Sequence, residues 1–566
     1  MSAPTATRPA SPTTPARARR VTRHLAGLLP GPADLRPVRR HWRGDLLAGV
    51  TVGVVALPLA LAFGISSGLD ASAGIVTAIV AGLVAAVFGG SNVQVSGPTG
   101  AMAVILAPIV ASHGAGAVVV ISIMAGLVLV AAGLLRLGRV VVYIPWPVIE
   151  GFTAGIAIII ALQQVPLALD GHADHGARPL AAAVDVARGA DWSRAWQPLA
   201  VTVAVVALVE ALRRWLPRVP GALVAVVLAT AVAQLAGLDI ARIGALPSTL
   251  PAPQLPAVDL GALQPLVGPA LAVAALAAIE SLLSARVAAG MDPRTGRVLP
   301  DREVVGQGLA SIASGLFGGM PATGAIARTA VNVRAGARSR LASVTHAVLL
   351  AAVIAVGAGL AGAIPLSALA GVLISTTLHM VRPSEVRALL RVSRSAAATF
   401  VVTIACTVFL DLITAVEVGV ALAAFFALRT LSRTTSVRRE QLPGPARPGD
   451  EQIALLTVSG SLFFGAADRI MDDIADSRAV VVVLRLSALG LMDPTGARRL
   501  GEVVTQLEAR GVTVLIKGLR PEHVVVADRS GMIGSLRYAA HRFDTLEDAV
   551  AHAREHVSGA HADAEG

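Results

Sequence analysis

A chain of 566 residues with 55% hydrophobic and only 15% charged residues is too apolar for an ordinary soluble protein, because globular chains usually carry about a quarter charged residues. Its single cysteine, Cys406, excludes an internal disulfide framework and a cysteine-based zinc site. The net charge of +11 does not point to nucleic acid: Lys517 is the one lysine among many arginines, and 3% aromatics are too few for base-stacking platforms.

Residues 1–43 are rich in Pro, Ala and Thr and carry nine arginines. With no cleavage pattern behind a short apolar core, they read as a basic cytoplasmic tail whose charge holds the start of the chain on that side of the bilayer. From 44 to 432 the chain is a series of apolar runs. A membrane helix needs about 20 apolar residues, and fourteen candidates follow in order: 45–67, 71–89, 98–111, 115–135, 147–168, 197–216, 221–237, 265–289, 303–317, 324–335, 341–362, 366–380, 395–411 and 413–431. Two of them, 98–111 and 324–335, are too short to cross alone. An even number returns the chain to the cytoplasm.

Residues 433–450, with Pro443, Pro445 and Pro448, read as a linker, and 451–557 as a soluble α/β domain. Ile453–Ser459, Val480–Leu486 and Val512–Lys517 are predicted strands, the second an unbroken apolar run suited to a sheet covered on both faces. Pro494–Ala509 is a predicted helix, and 558–566 a disordered tail.

One phrase occurs twice. Phe88-Gly89-Gly90 leads to Ser96-Gly97-Pro98-Thr99-Gly100-Ala101, and Phe317-Gly318-Gly319 leads to Met320-Pro321-Ala322-Thr323-Gly324-Ala325. Each ends one apolar segment and opens a short helix. Matched interruptions in two halves of a membrane protein point to a transporter's central site. A helix that starts inside the membrane offers unpaired N–H groups and the positive end of its dipole, so two such starts facing each other make an anion site. Glu280 lies inside the apolar run 271–284, and Arg328 one turn into the second half-helix. Charges at such depth cost roughly 2.5–3.5 kcal/mol and are rarely idle. Arg328 is expected to attract the anion. Glu280 balances it or takes up a coupling proton, unless the two form a permanent structural pair. Ser284, one turn beyond Glu280, shares its helix face. His113, His346 and His379 lack ligand spacing, no P-loop is present, and no catalytic constellation suggests an enzyme. No cofactor and no metal are expected.

These residues resemble the SulP family of anion transporters. Asp45–Pro58 with Ala60–Gly64 resembles its opening helix, and Gln94–Gly100 its third segment. Ala278–Ser284, Val305–Leu309 and Ala322–Asn332 resemble its eighth to tenth. The C-terminal region, with Leu484–Ser487 and Asp493–Gly496, resembles a STAS domain. The resemblance implies fourteen transmembrane segments in two inverted seven-helix repeats, split into core and gate domains and often dimeric, in the cell membrane with a cytoplasmic STAS domain. It also implies substrate lining by Phe63, Thr99, Gly100, Thr323, Gly324, Ala325, Ile326 and Arg328, with Glu280 and Ser284 facing the site. Cargoes would be sulfate, bicarbonate, chloride or a dicarboxylate, moved with protons, with sodium or by exchange. Bicarbonate–sodium members tend to have Asp at the Glu280 position, a hydroxyl at Ile326 and no arginine at Arg328. These departures favour sulfate or a dicarboxylate with proton coupling. Thr495 stands where regulatory relatives are phosphorylated, although capping of the following helix is the simpler role. The competing reading is a membrane-anchored signalling protein that senses an anion and acts through a partner of the STAS domain.

Overall fold

The computed structural model describes residues 27–139, 145–171, 178–217, 219–255, 263–433, 435–463, 474 and 479–565. The chain divides into two compact units, 1–420 and 421–566.

Each of the fourteen apolar runs forms a helix. They are α1 (Pro32–Ser66), α2 (Ala71–Phe88), α3 (Gly100–His113), α4 (Gly116–Leu134), α5 (Trp146–Ala168), α6 (Trp192–Trp215) and α7 (Gly221–Leu235). The second set is α8 (Val267–Met291), α9 (Pro300–Leu316), α10 (Ile326–Arg334), α11 (Leu341–Gly362), α12 (Leu366–Met380), α13 (Arg394–Phe409) and α14 (Leu412–Arg433). Among the described residues, eight helices are long and apolar enough to cross a bilayer, while α3, α7 and α13 are shorter apolar helices. Two amphipathic helices were not foreseen, Pro179–Gly189 and Pro383–Val392. Each lies between the fifth and sixth helix of its set of seven, a further sign of internal repetition.

Helix α1 begins inside the stretch expected to be a tail. Pro32 suits a first turn, and the Asp34 carboxylate accepts from Gly31 N at 2.9 Å while pairing with Arg302 at 2.9 Å. Residues 1–26 of that tail lie outside the described residues. Helix α2 contains a π-helical turn, Thr77–Ala81, a distortion that gathers at functional places. Asp411 caps α14, accepting from Thr414 N at 2.9 Å.

Helices α1–α4 pack mainly with α8–α11, and α5–α7 with α12 and α13. The two repeats therefore interlock into two bodies, the core and the gate. Within the core, α4 and α9 touch backbone to backbone: a Cβ on Gly126 would stand 2.6 Å from Gly308 O, and one on Gly308 would stand 2.6 Å from Gly126 O. Small residues let membrane helices approach this closely when water supplies no hydrophobic drive between them.

The C-terminal unit holds β3 (Ser436–Glu440), β4 (Ile453–Leu462), β5 (Val481–Arg485), β6 (Leu489–Met492), α15 (Pro494–Ala509), β7 (Thr513–Lys517), α16 (Pro521–Arg529), β8 (Arg542–Phe543) and α17 (Leu546–Glu565). The sheet order is β3-β4-β5-β7-β8, with β6 on β4, and every pairing is parallel except β3–β4. Along β5, Val482 and Leu484 join the core beneath α15, while Val481 and Val483 join the one beneath α17. Both faces are covered, as the unbroken apolar run predicts. Two boundaries differ from the sequence reading. Residues 436–440 of the expected linker are an edge strand, where Arg438 and Arg439 keep the outer edge charged. The expected tail 558–566 is helical as far as Glu565.

Candidate anion-binding site

The two repeated phrases meet. Ser96–Gly97 (β1) pairs antiparallel with Thr323–Gly324 (β2), Ser96 opposite Gly324 and Gly97 opposite Thr323. Ala325 N extends the ribbon with a bond to Val95 O at 2.9 Å. Because the strands run in opposite directions, α3 and α10 leave from opposite ends of the ribbon and turn their N-termini toward it. At α3, Thr99 is the N-cap and its Oγ1 accepts from Met102 N at 3.4 Å. That leaves the Gly100 and Ala101 N–H groups without a helical partner. At α10, Ala325 is the N-cap and supplies no side-chain bond, so the first turn, Ile326 to Arg328, is likewise unmatched. Two electropositive ends thus share one joint.

Side chains on α8 hold the joint. Thr99 Oγ1 donates to Glu280 Oε2 at 2.9 Å. Ser281 Oγ accepts from Gly324 N at 2.9 Å and lies 3.0 Å from Thr323 Oγ1. Ser284 Oγ donates to Thr329 Oγ1 at 3.1 Å, and Thr329 Oγ1 accepts from Val95 N at 3.1 Å. Ser284 is therefore spent on bracing the ribbon, and it is Ser281 that touches the paired strands. Arg328 is 2% exposed; its Nη2 donates to Pro98 O at 2.5 Å, and its Nη1 has no hydrogen-bond partner among the described residues. Glu280 is bonded by Thr99 and Thr323 and Arg328 donates to Pro98 O; no ion pair joins the two among the described residues, but each charge acts on the other. Phe63 is buried against the start of α3: a Cβ on Gly100 would stand 3.3 Å from the Phe63 ring and 2.2 Å from Ile160 Cδ1. Half-buried Glu280 and Ile326, with exposed Ala327, mark the open side of the joint.

A second set of braces had no assigned role in the sequence reading. Glu303 Oε2 accepts from Gly90 N at 2.7 Å and Ser91 N at 2.9 Å. Gln307 Nε2 donates to Ser96 Oγ at 2.6 Å. In the other direction Met320 N donates to Thr77 Oγ1 at 2.8 Å, so Thr77 does more than bond its own helix. Gln94 is buried beside Gly324 with both amide atoms unpartnered among the described residues, as are both ring nitrogens of His346. Buried polar groups are normally satisfied, which sets these two side chains apart from the other polar groups around the joint.

In the C-terminal unit, Asp493 caps α15, accepting from Gly496 N at 2.7 Å. Thr495 is exposed in the first turn and is not the cap.

Two half-helices that meet at their N-termini, inside interlocked helical repeats, are the architecture of a multi-pass membrane transporter. The sulfate permease family model matches residues 42–403, and a STAS domain model matches 445–549. The chain belongs to the sulfate permease family. YvdB of Bacillus subtilis (strain 168), whose name proposes sulfate transport, is 34% identical over 509 residues, covering 87% of this chain and 94% of that protein. The bicarbonate transporter BicA of Synechocystis sp. (strain ATCC 27184 / PCC 6803 / Kazusa) is 32% identical, covering 85% of this chain and 88% of its own. Among solved structures, SLC26A9 has the same fold with a TM-score of 0.79 at 17% identity, covering 97% of this chain and 95% of that one. The transmembrane domain of a cyanobacterial BicA reaches 0.61 at 31% identity over 69% of this chain and 98% of that one.

Proposed function

We propose that the chain carries small oxyanions by alternating access, with sulfate as its principal cargo and a proton or a counter-anion as the coupled species. The joined N-termini of α3 and α10 beside Arg328 carry this reading. The N–H groups of Gly100, Ala101, Ile326 and Ala327 would face the anion, and the guanidinium would supply the full charge that backbone dipoles lack. Glu280, half-buried and bonded to Thr99, is placed to exchange a proton with the open side. The core would move as one body against α5–α7 and α12–α14, with the basic N-terminal segment and the STAS domain on the cytoplasmic side.

Bicarbonate is the second reading, favoured by the 32% identity to BicA. Uptake of labelled sulfate, bicarbonate and succinate into proteoliposomes separates the two. Sulfate uptake that Arg328→Ala weakens by about 10–100-fold, the worth of one charge-assisted hydrogen bond, supports the proposal. No uptake of any anion under either gradient, or full uptake by Arg328→Ala, overturns it.

A further inference from the structure

His541 ends a short 3-10 turn before β8, and His552 and His556 lie one turn apart on α17. Their rings converge, with centroids 5.6 Å apart for His541–His552, 5.5 Å for His541–His556 and 4.8 Å for His552–His556. The nitrogens that the three rings can offer lie within 4.8 Å of one another. His552 Nε2 and His556 Nε2 are 3.2 Å apart, close to the edge of about 3.3 Å that a tetrahedral zinc with bonds of about 2.0–2.1 Å would set. His541 is 2% exposed and its Nδ1 has no hydrogen-bond partner among the described residues. The same ring hydrogen-bonds the Val514 backbone, the arrangement by which a metal-bound imidazole fixes its second nitrogen.

We propose that His541, His552 and His556 form a three-histidine site for a divalent first-row transition metal, zinc in the first instance, in the C-terminal domain. Packing alone accounts poorly for the arrangement. Between Nε2 of His552 and Nε2 of His556 a single proton suffices, and it leaves the buried Nδ1 of His541 unanswered. The charged groups around the cluster suit a cation on balance. Glu508 acts on His541 and His556, and Glu555 lies 3.6 Å from His552 Nδ1, against one arginine, Arg537. Three imidazoles leave the fourth position of a tetrahedral ion to water or another ligand. Bound there, the ion would tie α17 to the turn before β8.

The test uses the full-length, tag-free protein in detergent, stripped with chelator and titrated with Zn2+, with Co2+ as a spectroscopic probe. The expected result is one zinc per chain and the visible bands of tetrahedral cobalt. His552→Ala and His556→Ala should each weaken binding by about 100-fold or more, since loss of an outer-shell partner alone typically costs 10–100-fold. Both positions are only half-buried, so these variants avoid the packing loss expected at His541. Melting of the metal-free variants confirms that they are folded. Failure of the wild type to retain zinc at micromolar concentration overturns the proposal, as does unchanged affinity in the double variant His552→Ala/His556→Ala.

Discussion

Ser281→Ala isolates what the ribbon contributes to anion binding. Ser281 is fully buried, and its hydroxyl is the acceptor for Gly324 N at 2.9 Å. Alanine removes that oxygen and offers the buried N–H no acceptor in its place. The Gly324 N–H is then buried without an acceptor, a penalty of about 1–3 kcal/mol. Thr323 keeps Ala277 O within 3.5 Å, so one orphaned donor dominates. Taking about 2 kcal/mol, the balance between joined and parted strands shifts by about 30-fold. If both half-helices must be held for the anion to bind, the half-saturating sulfate concentration rises by up to that factor. Initial uptake rates in proteoliposomes across a sulfate series measure it, with thermal melting in detergent run alongside. Ser284→Ala is the control. It removes a hydroxyl from the same helix, yet Val95 N keeps its acceptor on Thr329, so the shift should be several-fold smaller. Wild-type half-saturation in Ser281→Ala, or equal effects of the two variants, would refute the reasoning.

Gly90→Ala should abolish recovery of folded protein: its Cβ would lie 2.0 Å from Leu299 O and 2.7 Å from Glu303 N, backbone atoms that cannot swing aside. Size-exclusion profiles after extraction check this. Glu280→Gln keeps an acceptor for Thr99 but cannot exchange a proton. Uptake should continue with its pH dependence flattened, and an unchanged pH profile would make Glu280 a fixed counter-charge. In the C-terminal domain, burial followed by nearby imidazoles lowers the His541 and His556 pKa values. The unfolded chain therefore takes up protons first as pH falls below about 6.5, and folded stability declines from there downward, with no such change above it. Hydrogen exchange of the β5 and β7 amides in metal-free protein should show protection falling between about pH 7 and pH 5, and His556→Gln should lessen the fall.

The helices were legible because a bilayer imposes length and apolarity on each, and all fourteen predicted runs are helical. Their ends were less so. Helix α1 starts at Pro32, where Asp34 and the arginines lie beyond the apolar stretch that hydropathy detects. The edge strand β3 was hidden by its charges, Arg438, Arg439 and Glu440, which read as a linker; among the described residues it pairs on one side only, with β4. At the site, Glu280 and Arg328 stood out as charges in apolar surroundings, and the repeated Gly/Pro phrase located the ribbon. Ser281, Gln94 and Glu303 did not stand out. Ser281 and Glu303 matter because of the backbone groups they reach across 43 and 213 residues of chain, and Gln94 because the fold buries it beside Gly324. The histidine cluster carried a readable signal in the one-turn spacing of His552 and His556. The third ligand, His541, is brought in only by the fold.

The stitching between the two repeats has a bearing on ancestry. Ser96–Gly97 finds its strand partner, Gly90 its carboxylate and Met320 its hydroxyl in the opposite half of the membrane unit. A single ancestral half would have lacked all three, and could have gained them from a twin copy inserted upside down in the same bilayer. One polypeptide thus holds together contacts that two separate copies would have to exchange. Expressing the halves 27–255 and 263–433 as separate polypeptides should therefore yield stable material only when both are made together.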